Sequence, residues 1–147
     1  MTLKVKIFAF GVIIVGLLDS FYLFYKYINA NPIDCFLFDG CNTIAQSPYS
    51  HVFGIPLPTF GVLFYVVMFL LVFFLTRYEN ILWKRLALLA SVIGFIFSLY
   101  FVYLQGFVIQ AFCIYCLISA IASTLILCLL IFVNNKKTEI TDYERKY

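Results

Sequence analysis

The sequence predicts an all-α integral membrane protein, a bundle of four transmembrane helices with a long outer loop between the first and second. Three observations lead there. The chain of 147 residues is 65% hydrophobic and 12% charged, with a mean hydropathy of +1.04, whereas soluble domains carry roughly 25% charge. Four apolar runs reach the ~20 residues that a spanning helix needs. Basic residues alternate between their connections in the manner of a cytoplasmic bias.

The first run, about residues 5–27, follows Lys4 and Lys6. Its length and the absence of a small-residue cleavage site after it distinguish it from a cleaved signal. Asp19 lies inside it, and an ionisable residue within a span is a functional candidate by default; a plain hydrogen bond to Tyr22 or to another helix is the competing reading. Lys26 is expected to snorkel outward from the helix end. The outer loop, 29–59, contains no Lys or Arg. Asn31-Pro32 marks a turn, and Asp34–Cys41 reads as a small hinge closing on Gly40. Residues 42–49 suit one or two helical turns. Residues 50–59 are apolar enough to lie along the membrane interface, so that hinge and strip together read as a lid over a site.

Pro56 and Pro58 lead into the second span, about 60–76. Arg77, Lys84 and Arg85 occupy the next connection, and the third span covers about 86–104. A short link, Gln105–Ala111, precedes the fourth span at about 112–133, and residues 134–147 form a charged tail. Positive-inside logic puts both termini and the 77–85 turn in the cytoplasm, and the outer loop and the Gln105–Ala111 link outside. The net charge of +3 reports this topology and implies no nucleic-acid partner. The whole chain, 1–147, reads as a single membrane domain.

Four of the five cysteines form two pairs on the outer side, where disulfides form and persist. Cys35 and Cys41 lie in the loop; Cys113 and Cys116 form a C-x-x-C at the start of the fourth span. Residues three apart share a helix face, and with the helix starting near Phe112, Cys113 falls in its first turn, where the helix dipole favours a thiolate. Dithiols pass electrons only when their sulfurs meet, so two pairs on one face suggest a relay. Static structural disulfides, buried cysteines acting as small hydrophobes and a four-cysteine zinc site are the competing readings. The scarcity of polar partners and the oxidising side weigh against zinc, and no metal is expected. Cys128, mid-span, reads as packing.

These residues and their flanks resemble the vitamin K epoxide reductase family, including its bacterial homologues, over nearly the whole chain. In that family a loop pair spaced like Cys35 and Cys41 is followed six residues on by a serine, here Ser47. Bacterial members often continue with residues like Ser47-Pro48-Tyr49 and Phe53-Gly54-Ile55-Pro56, both present here. The C-x-x-C opening the last core helix matches Cys113 and Cys116. The other quinone-coupled disulfide enzymes hold the two kinds of pair in the reverse order. The resemblance implies a four-helix bundle around a quinone of ubiquinone, menaquinone or vitamin K type. It implies that Cys116 faces the quinone, that Cys113 exchanges with Cys41, and that Cys35 meets an external dithiol. It places Ser47 near the quinone. Animal members carry a tyrosine four residues after the C-x-x-C; this chain has Ala120, which favours disulfide formation over epoxide reduction.

The expected function is that of a membrane thiol oxidoreductase that couples disulfide formation in a thioredoxin-like partner to quinone reduction, in the cell (inner) membrane. Many family members carry a fused thioredoxin-like domain; here the partner is expected to be a separate extracytoplasmic protein. The rival readings are a vitamin K quinone or epoxide reductase, and a structural membrane subunit stapled by disulfides. Phe97 and Phe101 share a face near the outer end of the third span and are candidates to stack on the quinone. His51, the sole histidine, reads as a solvated loop residue, with handling of a quinone proton as the alternative.

Overall fold

The computed structural model describes residues 3–29, 31–35, 40–78 and 80–145, the last eleven by backbone alone. Among these residues, four helices are long and apolar enough to cross a membrane. The first, α1 (Leu3–Ile28), has 26 residues, about 39 Å at 1.5 Å per residue. A short helix, α2 (Gly40–Ala45), and a 3₁₀ turn at Pro48–Ser50 follow in the loop. Two-residue strands β1 (His51–Val52) and β2 (Ile55–Pro56) pair antiparallel. Then come α3 (Leu57–Tyr78), α4 (Ile81–Tyr103), a π-helical turn (Leu104–Ile109) and α5 (Ile114–Arg145).

Each boundary has a local cause. Proline is tolerated in the first turn of a helix, where its missing N–H is not needed, so Pro58 sits at the second position of α3 and the helix opens at Leu57, before the expected Phe60. The β1–β2 turn is made by Phe53 and Gly54, both at positive φ (53° and 79°), as a two-residue hairpin of mirror-image type demands. The strip expected along 50–59 is therefore a hairpin with Phe53 98% exposed at its tip. Asn80 caps α4, its side chain accepting from the Leu82 N–H at 3.1 Å.

The link at 105–111 is more structured than its sequence suggests. The chain stays helical through Ile109 and stops at Gln110, which adopts a left-handed conformation. The Ala111 N–H then donates to the Gln105 carbonyl at 3.1 Å. The fourth long helix begins at Ile114, so Cys113 is the residue before its first turn, not within it. Its far end runs on to Arg145, through the stretch expected to be a tail. Of the expected hinge at 34–41, residues 36–39 lie outside the described residues.

α1 packs against α3 and α5, and α4 against α5 and α3, which closes the four long helices into a ring. Inside it Ile13, Tyr65, Met68, Val72 and Ile126 are buried. Outside it Ile14, Leu18, Leu70, Phe73, Leu89 and Ile96 are exposed. An apolar exterior around a tight apolar core suits lipid as solvent, where small residues let helices approach closely. Gly16 is such a residue, for a Cβ there would overlap the Tyr65 ring. A second cluster joins the loop to one end of the bundle and contains Leu23, Ile33, Cys41, Ile44 and Cys113.

Candidate active site

The loop is pinned where it matters. Asn42 of α2 clamps the backbone of Ile33, accepting from its N–H at 2.8 Å and donating to its carbonyl at 3.2 Å. Lys26 pairs with Asp34 at 2.9 Å and donates to the Pro32 carbonyl at 3.2 Å, a specific anchor in place of simple snorkelling. From α5, the Tyr115 hydroxyl donates to the Asp34 carbonyl at 2.9 Å. These contacts hold Cys35 and Cys41, which are joined as a disulfide with Cα atoms 6.1 Å apart.

Cys113 faces that disulfide. The sulfurs of Cys35, Cys41 and Cys113 all lie within 4.8 Å of one another, and Cys41 and Cys113 are almost wholly buried. Two of the three are bonded to each other, so the cluster is a thiol set against a disulfide. Cys113 and Cys116 are both free.

The environment of Cys113 prepares it for exchange. Its carbonyl accepts the first bond of α5, from the Leu117 N–H at 3.1 Å, which makes it the N-cap residue. Its own N–H donates to the side-chain oxygen of Gln105 at 3.2 Å, a fully buried bond. The Cys116 thiol donates to the Cys113 sulfur, and the backbone N–H groups of Cys116 and Tyr115 add to it, as they do to an N-cap oxygen. Cys113 lies just ahead of the fourth span; against the opposing effect of burial, these donors pull its pKa down to about 7, well toward the reactive thiolate. Gln105 also reaches the Cys116 thiol. Asp19 lies close enough to feel the charge of Cys113, and its Oδ2 atom is buried without a hydrogen-bond partner.

A cavity of about 580 Å³ opens beside these sulfurs, within the roughly 300–1,000 Å³ of small-molecule sites. Cys41, Cys113 and Cys116 all line it. Its walls are mainly apolar, with Leu23, Phe60, Phe64, Ile93, Phe97 and Phe101 among them. The polar groups are few: hydroxyls of Ser20, Ser50, Ser98, Ser119 and Ser123, and of Tyr27 and Tyr65. Tyr65 is fixed by bonds to the Ser119 carbonyl and hydroxyl, each 2.9 Å.

The residues singled out in the sequence fall in three places. Cys35, Cys41 and Cys113 meet, with Cys116 one helical turn beyond at the cavity. Phe97 and Phe101 line that cavity. Ser47 does not line it; its hydroxyl donates to the Ile44 carbonyl at 2.7 Å at the end of α2, and Ser50 is the loop serine that lines the wall. Gln105, Asn42 and Tyr27 escaped the sequence reading. Only Gln105 left a signal there, as an amide stranded in an apolar stretch eight residues before the C-x-x-C.

An apolar cavity with a sulfur pair on its wall suits a lipid-soluble electron acceptor, and a zinc site drawing on Cys35 and Cys41 is incompatible with their disulfide. No curated protein matches the chain. Residues 7–131 match the model of the Vitamin K epoxide reductase family, a stretch that runs from α1 through the buried part of α5 and takes in every cysteine. On that match the chain belongs to the vitamin K epoxide reductase family, and is an integral membrane oxidoreductase of thiol–disulfide chemistry.

Proposed function

We propose that this protein forms disulfides in a thioredoxin-like partner and passes the electrons to a quinone. The observation that carries the reading is the triangle of Cys35, Cys41 and Cys113 sulfurs within 4.8 Å, two of whose members, Cys41 and Cys113, line an apolar cavity together with Cys116. The loop pair takes two electrons from the partner dithiol: one partner thiolate attacks Cys35 and releases Cys41, and the second partner thiol then resolves the mixed disulfide and releases Cys35. The Cys41 thiolate then attacks Cys113 in a Cys113–Cys116 disulfide, releasing the Cys116 thiolate. Cys35 next attacks Cys41, re-forming the loop disulfide and freeing Cys113. This sequence ends with a closed loop disulfide and two free inner thiols, the arrangement seen here.

Electrons then leave from Cys116. A quinone bound in the cavity supplies a two-electron, two-proton acceptor. The chain's part is to hold the ring among Phe60, Phe64, Phe97 and Phe101, to keep Cys116 at the wall, and to exclude bulk water. Ser47, at the end of the helix that carries Cys41, supports this site through that helix. The lysine and arginine distribution supports a cell-membrane location with both termini cytoplasmic and the sulfurs extracytoplasmic.

Purified protein mixed with a reduced thioredoxin-like protein and ubiquinone, menaquinone or a vitamin K quinone tests the proposal. Oxidation of the partner should match quinone reduction one for one, and Cys116→Ala should abolish the second. Quinone reduction that persists in Cys116→Ala, or failure of every quinone tried, overturns it.

A further inference from the structure

The disulfide chemistry leaves the protons unassigned. Closing the inner pair releases two electrons and two protons, and a quinone taking the electrons must also take two protons. Cys113 is held toward its thiolate, so the inner pair does not carry both protons, and the remainder must cross from water into an apolar cavity. One polar chain crosses its wall at the loop. Tyr27, near the end of α1, and Ser50, before β1, both line the cavity. Their oxygens are 3.1 Å apart. His51, the next residue, is exposed to solvent. The Tyr27 hydroxyl lies 3.0 Å from the His51 Nε2 and 3.2 Å from its Nδ1, and the Ser50 hydroxyl 3.1 Å from Nδ1. The Ala45 carbonyl also accepts from Tyr27, at 3.3 Å.

We infer that His51, acting through Tyr27 with Ser50 beside it, is the proton inlet of the acceptor cavity. This rests on the quinone-reducing reading above. His51 takes a proton from water on the exposed face and donates a ring N–H to the Tyr27 oxygen. The phenol, now an acceptor toward His51, turns its own proton into the cavity and delivers it to the oxygen of the acceptor reduced there. One O–H bond breaks at Tyr27 and is replaced by the proton from His51; the electron pair comes from the inner dithiol. Ser50 keeps the imidazole in place. Tyr27 is the group that touches the acceptor, and His51 acts through it. Among the described residues, the ionisable group in contact with His51 is that phenol.

The experiment uses the full-length protein in detergent or nanodiscs. Tyr27→Phe should lower quinone reduction by on the order of 100-fold, the lower end of general-acid contributions. His51→Gln should lower it too, because the outer proton donor is gone. His51→Gln should bind quinone, and both variants should accept electrons from the dithiol partner at Cys35, as the wild type does. A second readout needs no turnover. His51 is the sole histidine, so its ¹⁵N ring signals are read without assignment, and Tyr27→Phe should change their tautomer balance. An unchanged rate in His51→Gln overturns the relay, as does an unchanged ¹⁵N spectrum in Tyr27→Phe, or a loss in His51→Gln confined to quinone binding. Failure of the underlying reading looks different, because the wild type itself would then reduce no quinone.

Discussion

At the residue scale the site depends on making one thiol different from its neighbour. Cys113 collects donors from Cys116 and from the start of α5, and its pKa falls to about 7. In fully reduced protein, alkylation of Cys113 by iodoacetamide should therefore rise through about pH 7 and level off above it, since only the thiolate reacts. Removing the first of those donors in Cys116→Ala should move the midpoint upward; a mass-spectrometric rate profile reports both. The same variant, left to oxidise, should trap a Cys41–Cys113 disulfide, because the thiol that completes the exchange is gone. Non-reducing peptide mapping identifies that link. Gln105 supports the arrangement from below. Gln105→Leu leaves a buried N–H at Cys113 without its acceptor, a loss of about 1–3 kcal/mol, which should appear as a lowered Tm.

The elements meet through small features at their ends. Asn42 ties α2 to the chain leaving α1, and both bonds go to one backbone residue, Ile33. Asn42→Ala removes two hydrogen bonds of about 0.5–1.5 kcal/mol each from the segment carrying Cys35 and Cys41. The loop should become susceptible to limited proteolysis between residues 31 and 47 while the four long helices keep their circular dichroism. In the bundle, α1 and α3 approach where Gly16 meets Tyr65. Gly16→Val must displace that ring and its two bonds to Ser119, at about 1–3 kcal/mol for an overpacked core. The measurable result is a lower Tm together with weaker quinone binding, because Tyr65 and Ser119 both line the cavity.

For the whole molecule, connectivity gathers both cysteine pairs at one end of the ring and leaves the α3–α4 turn and the two termini at the other. Apart from Lys26, which pairs with Asp34 at the cysteine end, the basic residues follow the second end, with Lys4 and Lys6, Arg77, Lys84 and Arg85, and Lys136 and Lys137. A membrane-impermeant maleimide should label Cys35 in intact cells after mild reduction, and reporter tags on either terminus should read as cytoplasmic. Labelling of Cys35 only after lysis would reverse the orientation.

The sequence by itself determined the class of the molecule, its four spans and the identity of the sulfurs. Those are properties of local composition: a run of apolar residues must be helical in lipid because its backbone has no other partner, and Cys113 and Cys116 are spaced to share a face wherever the helix begins. Tertiary structure decided which sulfur faces the disulfide, that the chain from Leu104 to Ile109 is a π-helical turn aiming Gln105 at Cys113, and that Ser50 and not Ser47 lines the cavity. It also decided that His51, a plain loop residue in sequence, is bonded to a tyrosine 24 positions earlier. Such facts depend on angles at chain ends and on contacts between segments remote in sequence. No period or composition records them, because the same residues in a slightly longer loop would fold to the same four helices and make a different site.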